Sequence, residues 1–252
     1  MILVLSGTRD GRGIVRFLKN NGFTVLATAV TDYGSELSKG AGADYVASGE
    51  LDDKEMAGLI RQHNCTAVID ATHPFAAEAS KNAMSACEEL GVGYLRYERE
   101  PAAIPKNPLV HHVGNIEEAA KVASQLGNVI FYTAGSRGLE LFLKQIKRKR
   151  VVVRVIPAEE VIKKCLVLGI STGDIIAMQG PFSTELNRAM MEECGSDVLV
   201  TKESGKVGGI EEKVRSALSL NIAVVVIERP KLNYPSVVNE EKDVIEWISK
   251  SL

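Results

Sequence analysis

Val68-Ile69-Asp70-Ala71-Thr72-His73-Pro74-Phe75 decides how the rest of the chain is read. An apolar, β-branched run ends in an acid, and the next residues bring a hydroxyl, an imidazole, a proline and an aromatic ring into one short turn. A helical pattern follows at once, from Ala76 to Leu90. The stretch is a strand–loop–helix joint of an α/β protein, and in such folds ligands bind beyond the carboxyl ends of the strands. A plain structural account makes Asp70 a strand-end hydrogen bonder, Thr72 the cap of the following helix and Pro74 a residue of its first turn. That account leaves His73 without a task, and its place at a strand's carboxyl end marks it for function.

Outward from this joint, short apolar runs alternate with amphipathic segments. Strands are expected at Ile2–Leu5, Thr24–Thr28, Ala43–Val46, Ala67–Ile69 and Gly93–Arg96, with helices at Arg12–Asn20, Ser35–Lys39, Asp53–Gln62 and Ala76–Leu90. Repeated βα units imply a parallel sheet with helices on both faces. Glu100 to Pro108 breaks the rhythm, because three prolines in nine residues forbid a helix and suit an extended linker. The alternation then restarts, with strands at Leu109–Val113, Val129–Tyr132, Val151–Ile156, Ile175–Met178, Val198–Val200 and Ala223–Ile227. Helices are expected at Ile116–Gln125, Gly138–Lys144, Ala158–Leu166, Thr184–Glu193 and Gly209–Leu220, and a Pro-rich link, Pro230 to Pro235, leads to a last helix around Asp243–Ser249. The expected architecture is two α/β, Rossmann-like parallel-sheet domains, residues 1–101 and 102–252. A single extended sheet is the alternative.

With 252 residues the chain can bury a substantial core, and a net charge of −2 gives no reason to expect nucleic acid or an acidic membrane as partner. The cysteines Cys65, Cys87, Cys165 and Cys194 form no CxxC pair and sit in apolar patterns, which argues against a disulfide framework. The apolar start, Met1 to Leu5, is too short for a secretory leader and is soon followed by Arg9 and Asp10. No apolar run approaches the roughly 20 residues that span a bilayer. The expected compartment is the cytoplasm.

Several other loops repeat the logic of the first. Gly7-Thr8-Arg9-Asp10-Gly11-Arg12-Gly13 follows a strand and opens a helix, where backbone amides favour an anion. Its spacing departs from the dinucleotide pattern G-x-G-x-x-G, and the second strand ends Ala27-Thr28-Ala29, without the acid that would hold an adenosine ribose. A tight turn that binds nothing accounts for it equally well. Tyr132 to Gly138 and Met178 to Ser183 also join strands to helices through glycine-containing turns, the second with Ser183 placed to cap. Arg96 and Arg99 end the fifth strand, and arginine suits bidentate binding of carboxylate or phosphate. Thr201 to Gly209 places Lys202 at another strand end but lacks the Walker A order. His111 and His112 are adjacent on a strand and point to opposite faces, and no His/Cys set has zinc spacing, so no metal is expected.

Taken together, these loops resemble the precorrin-6A reductases of cobalamin biosynthesis, including the cobalt-precorrin-6A reductases. The resemblance is carried by Gly7-Thr8, Asp70 to Ala76, Leu95 to Arg99, Gly135-Ser136-Arg137, Gln179 to Ser183 with Asn187, Thr201 to Gly205 with Gly208-Gly209 and Lys213, and Arg229-Pro230. It covers nearly the whole chain. One departure is the first loop, which in that family usually reads Gly-Gly-Thr, one residue, then Glu; here it is Ser6-Gly7-Thr8-Arg9-Asp10. The resemblance implies an oxidoreductase in which NADPH or NADH reduces one double bond of a polycarboxylate tetrapyrrole, with ligands in a cleft between two Rossmann-like domains. It implies cofactor contacts at Gly7, Thr8, Asp10, Gly135, Ser136, Arg137, Gln179, Gly180, Pro181 and Phe182. It implies substrate contacts at Asp70, Thr72, Pro74, Phe75, Arg96, Arg99, Ser204 and Gly205, and catalytic roles for His73 and Lys202. Histidine is suited to proton transfer near neutral pH.

The sequence also allows two other readings. One is an NAD(P)-dependent oxidoreductase on another substrate, though no Tyr-x-x-x-Lys pair of the short-chain dehydrogenase type occurs. The other is a dinucleotide-binding sensor without catalysis.

Overall fold

Strand β1, Ile2–Leu5, is buried at every position, as a parallel strand covered on both faces must be. The structure is a computed structural model and describes residues 1–251. After β1 come α1 (Arg9–Asn20), β2 (Val25–Ala29), α2 (Asp32–Gly40), β3 (Tyr45–Ser48), α3 (Asp53–Gln62), β4 (Ala67–Asp70), α4 (Ala77–Leu90) and β5 (Gly93–Tyr97). Then follow β6 (Val110–Val113), α5 (Ile116–Leu126), β7 (Val129–Tyr132), α6 (Leu139–Gln145), β8 (Arg150–Val155), α7 (Glu159–Val167) and β9 (Ile175–Ala177). The remaining elements are α8 (Thr184–Cys194), β10 (Val198–Lys202), α9 (Ile210–Ser219), β11 (Ala223–Ile227), β12 (Val237–Val238) and α10 (Glu241–Ser251). Every paired strand runs parallel to its neighbour, in two six-stranded sheets ordered β12-β5-β4-β1-β2-β3 and β6-β11-β10-β7-β8-β9.

The chain divides into two compact units, Met1–Glu100 together with the segment from Pro230 onward, and Pro101–Arg229. In the first, strand alternation sends Val4 and Ile69 to a face covered by Ile14 and Leu18 of α1 and Val244 and Ile248 of α10. Leu3, Leu5 and Val68 go to the opposite face, under Met56 and Ile60 of α3 and Ala83 and Ala86 of α4. The chain winds outward from β1 through β2 and β3, then returns to the other side of β1 with β4. The switch point, where an open α/β sheet opens a ligand crevice, therefore lies between β1 and β4.

The segment from Pro230 onward was expected in the second domain, residues 102–252, and does not join the second unit. Val237 and Val238 pair with Arg96 and Tyr97, and the Arg96 amide donates to Ser236 O at 2.9 Å. Helix α10 then covers the first sheet, and Trp247 packs so tightly on Gly93 that a Cβ there would lie 2.9 Å from its ring. A two-residue strand among prolines has no periodicity of its own, so only the long-range pairing creates it.

In the second unit the switch point falls between β7 and β10. Phe131, Val152, Leu199, Val224 and Val226 form one core face beneath α8 and α9.

Gly11 sets how closely α1 approaches β1. A Cβ there would sit 2.5 Å from Ser6 Cα, a contact with backbone that no rotamer relieves. Gly11→Ala is expected to destabilise the protein by about 1–3 kcal/mol, as overpacking does. An unchanged unfolding midpoint in urea would show that the turn can give way.

Candidate active site

In the first unit the loops after β1 and β4 flank the switch point, and Thr8 fastens them together. Its hydroxyl accepts from Gly11 N, capping α1, and donates to Ala71 O, both at 2.9 Å. Thr8 thus holds the loops in register, and the group turned outward is the backbone at Gly7, which is exposed and where a Cβ would meet nothing. Asp10, in the first turn of α1, forms an ion pair with Arg99. The residues expected to hold cofactor and substrate separately therefore hold each other.

Asp70 is at the end of β4, wholly buried. Oδ1 accepts from Thr72 N at 2.9 Å, Thr72 Oγ1 at 2.7 Å and Arg96 Nη1 at 2.8 Å. Oδ2 accepts from Ser80 Oγ and Tyr94 Oη, both at 2.6 Å. Burial alone would raise the carboxyl's pKa, but the Arg96 charge and the Ser80, Tyr94 and Thr72 hydrogen bonds outweigh it, and the pKa lies below the ordinary value. Arg96 is 1% exposed, donates to Thr72 Oγ1 and Thr72 O, and lies under the Tyr234 ring at 5.3 Å. Asp70, Thr72 and Arg96, expected as substrate contacts, come together as a hydrogen-bonded scaffold. One expectation is corrected: Thr72 does not cap α4, whose first turn has no side-chain cap.

The scaffold carries His73. That side chain is exposed, its Nδ1 accepts from Phe75 N at 3.2 Å, and its ring lies 5.8 Å from the Phe75 ring. An Nδ1 that accepts leaves the proton of the neutral imidazole on Nε2. Pro74 is buried and stiffens the turn between them.

In the second unit the loops after β7 and β10 flank the switch point. Gly135 has φ +83°, a conformation that favours glycine, and a Cβ there would meet nothing. Exposed Arg137 acts electrostatically on Lys202 at the end of β10, whose pKa is lowered by partial burial first and by Arg137 second. The Glu203-Ser204-Gly205 turn is fixed by its acid. Glu203 Oε1 accepts from Gly205 N and Ala102 N, both at 3.0 Å, and Glu203 pairs with Arg229. Ser204 and Gly205, expected as substrate contacts, are buried in this turn, with Ser204 Oγ against Gly208. Gln179 to Ser183 follows β9, at the far edge of the sheet from β6, and lies away from this switch point. Ser183 caps α8 as expected, through Leu186 N at 3.3 Å, and Phe182 stacks on Arg154.

Arg154 and Lys213 are buried cations that the sequence expectations leave without a role. A signal for them exists. Arg154 interrupts the valine run of β8, and Lys213 sits on the inward stripe of α9 with Ile210, Val214 and Ala217. Among the described residues no group of three or more His, Cys, Asp or Glu could hold a metal ion. No helix among them is long and apolar enough to cross a membrane.

Comparisons with known proteins bear on this arrangement. The family model described as precorrin-6x reductase CbiJ/CobK matches residues 1–249. A cobalt-precorrin-6A reductase of Methanothermobacter thermautotrophicus is 41% identical over 257 residues, covering 100% of this chain and 84% of that protein. One from Priestia megaterium is 40% identical over 249 residues, covering 97% of this chain and 96% of that protein. A precorrin-6A reductase of Rhodococcus erythropolis is 29% identical over 252 residues, covering 98% and 96%. A solved structure titled CobK precorrin-6A reductase superposes with a TM-score of 0.81 at 23% identity, over 99% of this chain and 96% of that one, which shows a shared fold.

Proposed function

This chain belongs to the CbiJ/CobK family of precorrin-6x reductases, and from that premise we propose how its residues reduce one double bond of a precorrin-6A-type macrocycle in corrin biosynthesis. The observation that carries the reading is the full-length family match, with the chemically varied loops standing at both switch points.

The residues fit a nicotinamide dinucleotide, NADPH or NADH. Gly7 and Gly135 leave open space where a Cβ would stand, so backbone amides can approach a phosphate. Arg137 and Lys202 supply positive charge beside the second of these turns. When bound, the reduced nicotinamide supplies a hydride. Saturating the double bond takes that hydride and one proton, and His73, doubly protonated as the imidazolium, gives the proton from Nε2. The Phe75 amide holds the neutral ring by donating to Nδ1, and exposure to solvent lets that ring take up the second proton that makes it an acid. The Asp70–Arg96 scaffold holds the His73 turn in place. Lys202 and Arg137 hold carboxylates of the macrocycle or phosphates of the dinucleotide.

The test is turnover. The protein is mixed with precorrin-6A or its cobalt form and with NADPH or NADH, and the loss of nicotinamide absorbance is followed with the tetrapyrrole spectrum. One combination is expected to turn over. None doing so would overturn the assignment and favour a sensor or another substrate.

Lys202 makes a further prediction. Lys202→Met is expected to raise the macrocycle KM about tenfold, the size of one charge-assisted hydrogen bond, and to flatten its dependence on salt. In the parent protein the lowered pKa means that the ammonium loses its charge at a lower pH than an ordinary lysine. KM is therefore expected to climb on the alkaline side earlier than in the Lys202→Arg variant. Identical alkaline limbs in the two proteins would remove Lys202 from binding carboxylates of the macrocycle.

A further inference from the structure

Arg154 and Lys213 take no part in the hydride or proton transfer. Arg154 projects from β8 onto the sheet face covered by α8 and α9. Its guanidinium lies 5.5 Å from the Phe131 ring centre and 4.6 Å from that of Phe182, and Nη1 donates to Asn187 Oδ1 at 2.7 Å. The Asn187 amide in turn donates to Phe182 O and Ser183 O, at 3.1 and 2.8 Å. Lys213 reaches the same face from α9, at 7% exposure. Among the described residues no hydrogen bond or close ion pair reaches its amine. Burial first, then the Arg154 charge, push its pKa down to about 7, with Glu212 opposing. Strand alternation puts Thr201 on this face too, two residues beyond core Leu199, and its hydroxyl is buried without a partner.

Two cations in an apolar face, opposed among the described residues by the Glu212 carboxylate, are costly to fold unless something neutralises them. Apolar residues would serve the fold better, so a charge kept at this cost in a ligand-binding fold points to a ligand. The rim is closed by two turns in contact, since a Cβ on Gly209 would lie 3.1 Å from Pro181.

We propose that Arg154, Lys213 and the Thr201 hydroxyl form an anion subsite beneath the Gln179–Ser183 turn, taking one oxyanion of a bound ligand. The oxyanion is a carboxylate of the macrocycle or a phosphate of the dinucleotide, so the proposal rests on the reductase reading. Asn187 orients Arg154, and Phe182 keeps its guanidinium flat.

The test uses the full-length protein with Lys213→Gln and Lys213→Arg. Dissociation constants for NADPH, NADH and precorrin-6A are measured separately by calorimetry, with folding checked by circular dichroism. Lys213→Gln is expected to weaken one ligand by about tenfold or more, the size of one charge-assisted contact, and Lys213→Arg to restore most of it. Loss for NADPH alone assigns the ribose phosphate, loss for both dinucleotides the pyrophosphate, and loss for the macrocycle alone a carboxylate. All three constants unchanged within about twofold would overturn the subsite, since that is below the effect of one such contact. Should Lys213→Gln fail to fold, the ζ-nitrogen of Lys213 is followed by NMR in the parent protein. A bound oxyanion raises its titration midpoint, and no movement at saturating ligand overturns the proposal. Binding needs no turnover, so a failed reductase assay and a failed subsite give different results.

Discussion

Replacing His73 with alanine is expected to lower kcat by about a hundredfold or more, within the range lost when a general acid is removed. Macrocycle and dinucleotide affinities should stay within a few-fold, because the imidazole is exposed and the turn is held by its neighbours. The solvent isotope effect should also fall, since the positioned proton donor would give way to water. His73→Gln, which keeps a polar group without a transferable proton at neutral pH, should behave like the alanine variant. Full turnover by either variant would leave His73 a surface residue of the turn and shift the proton to bound water.

Asp70→Ala is expected to destabilise the first unit by about 3–5 kcal/mol, because it strands a buried guanidinium without its counter-charge. The Thr72, Ser80 and Tyr94 donors would lose their acceptor at the same time. Activity should fall with stability, since the same contacts hold the His73 turn. Acid titration checks the electrostatic part. The folded pKa of Asp70 is depressed, so its contribution to stability is fully present above the unfolded aspartate pKa of about 3.9 and is lost as pH falls below that value toward the folded one. Asp70→Asn should flatten this acid limb of the stability curve. A urea midpoint that is unchanged at neutral pH in Asp70→Ala would show that Arg96 finds another partner.

How much of this was legible in the sequence depended on whether the signal was local. Strands β1 and β11 are unbroken apolar runs, and β4 and β10 open on such runs, Ala67–Ile69 and Val198–Val200, so burial on both faces could be read directly. Ser183 as the cap of α8 was equally local. The pairing of β12 with β5 was not, because two valines among prolines have no pattern until a distant strand supplies hydrogen bonds. The same distinction divides the site residues. His73 and Lys202 could be placed at strand ends by position alone. That Arg96 belongs to Asp70, and Arg99 to Asp10, depends on residues far apart in sequence meeting in the fold. Arginine at a strand end looks the same whether it awaits a ligand or already holds an internal acid. Arg154 and Lys213 were visible as charges out of pattern, and only their burial gave that irregularity a meaning.

The return of the chain to the first sheet has a consequence for biosynthesis on the ribosome. Residues 101–229 emerge as one uninterrupted module, whereas the first sheet lacks an edge strand and a covering helix until the segment after Pro230 has left the exit tunnel. Domains usually mature in the order in which they are translated. Here the order is inverted: the later-made module can complete itself first, and the earlier one waits with Leu95 and the α10-facing side of its sheet uncovered. Protease pulses on stalled nascent chains should find residues 101–229 resistant while the amino-terminal hundred are still cleaved.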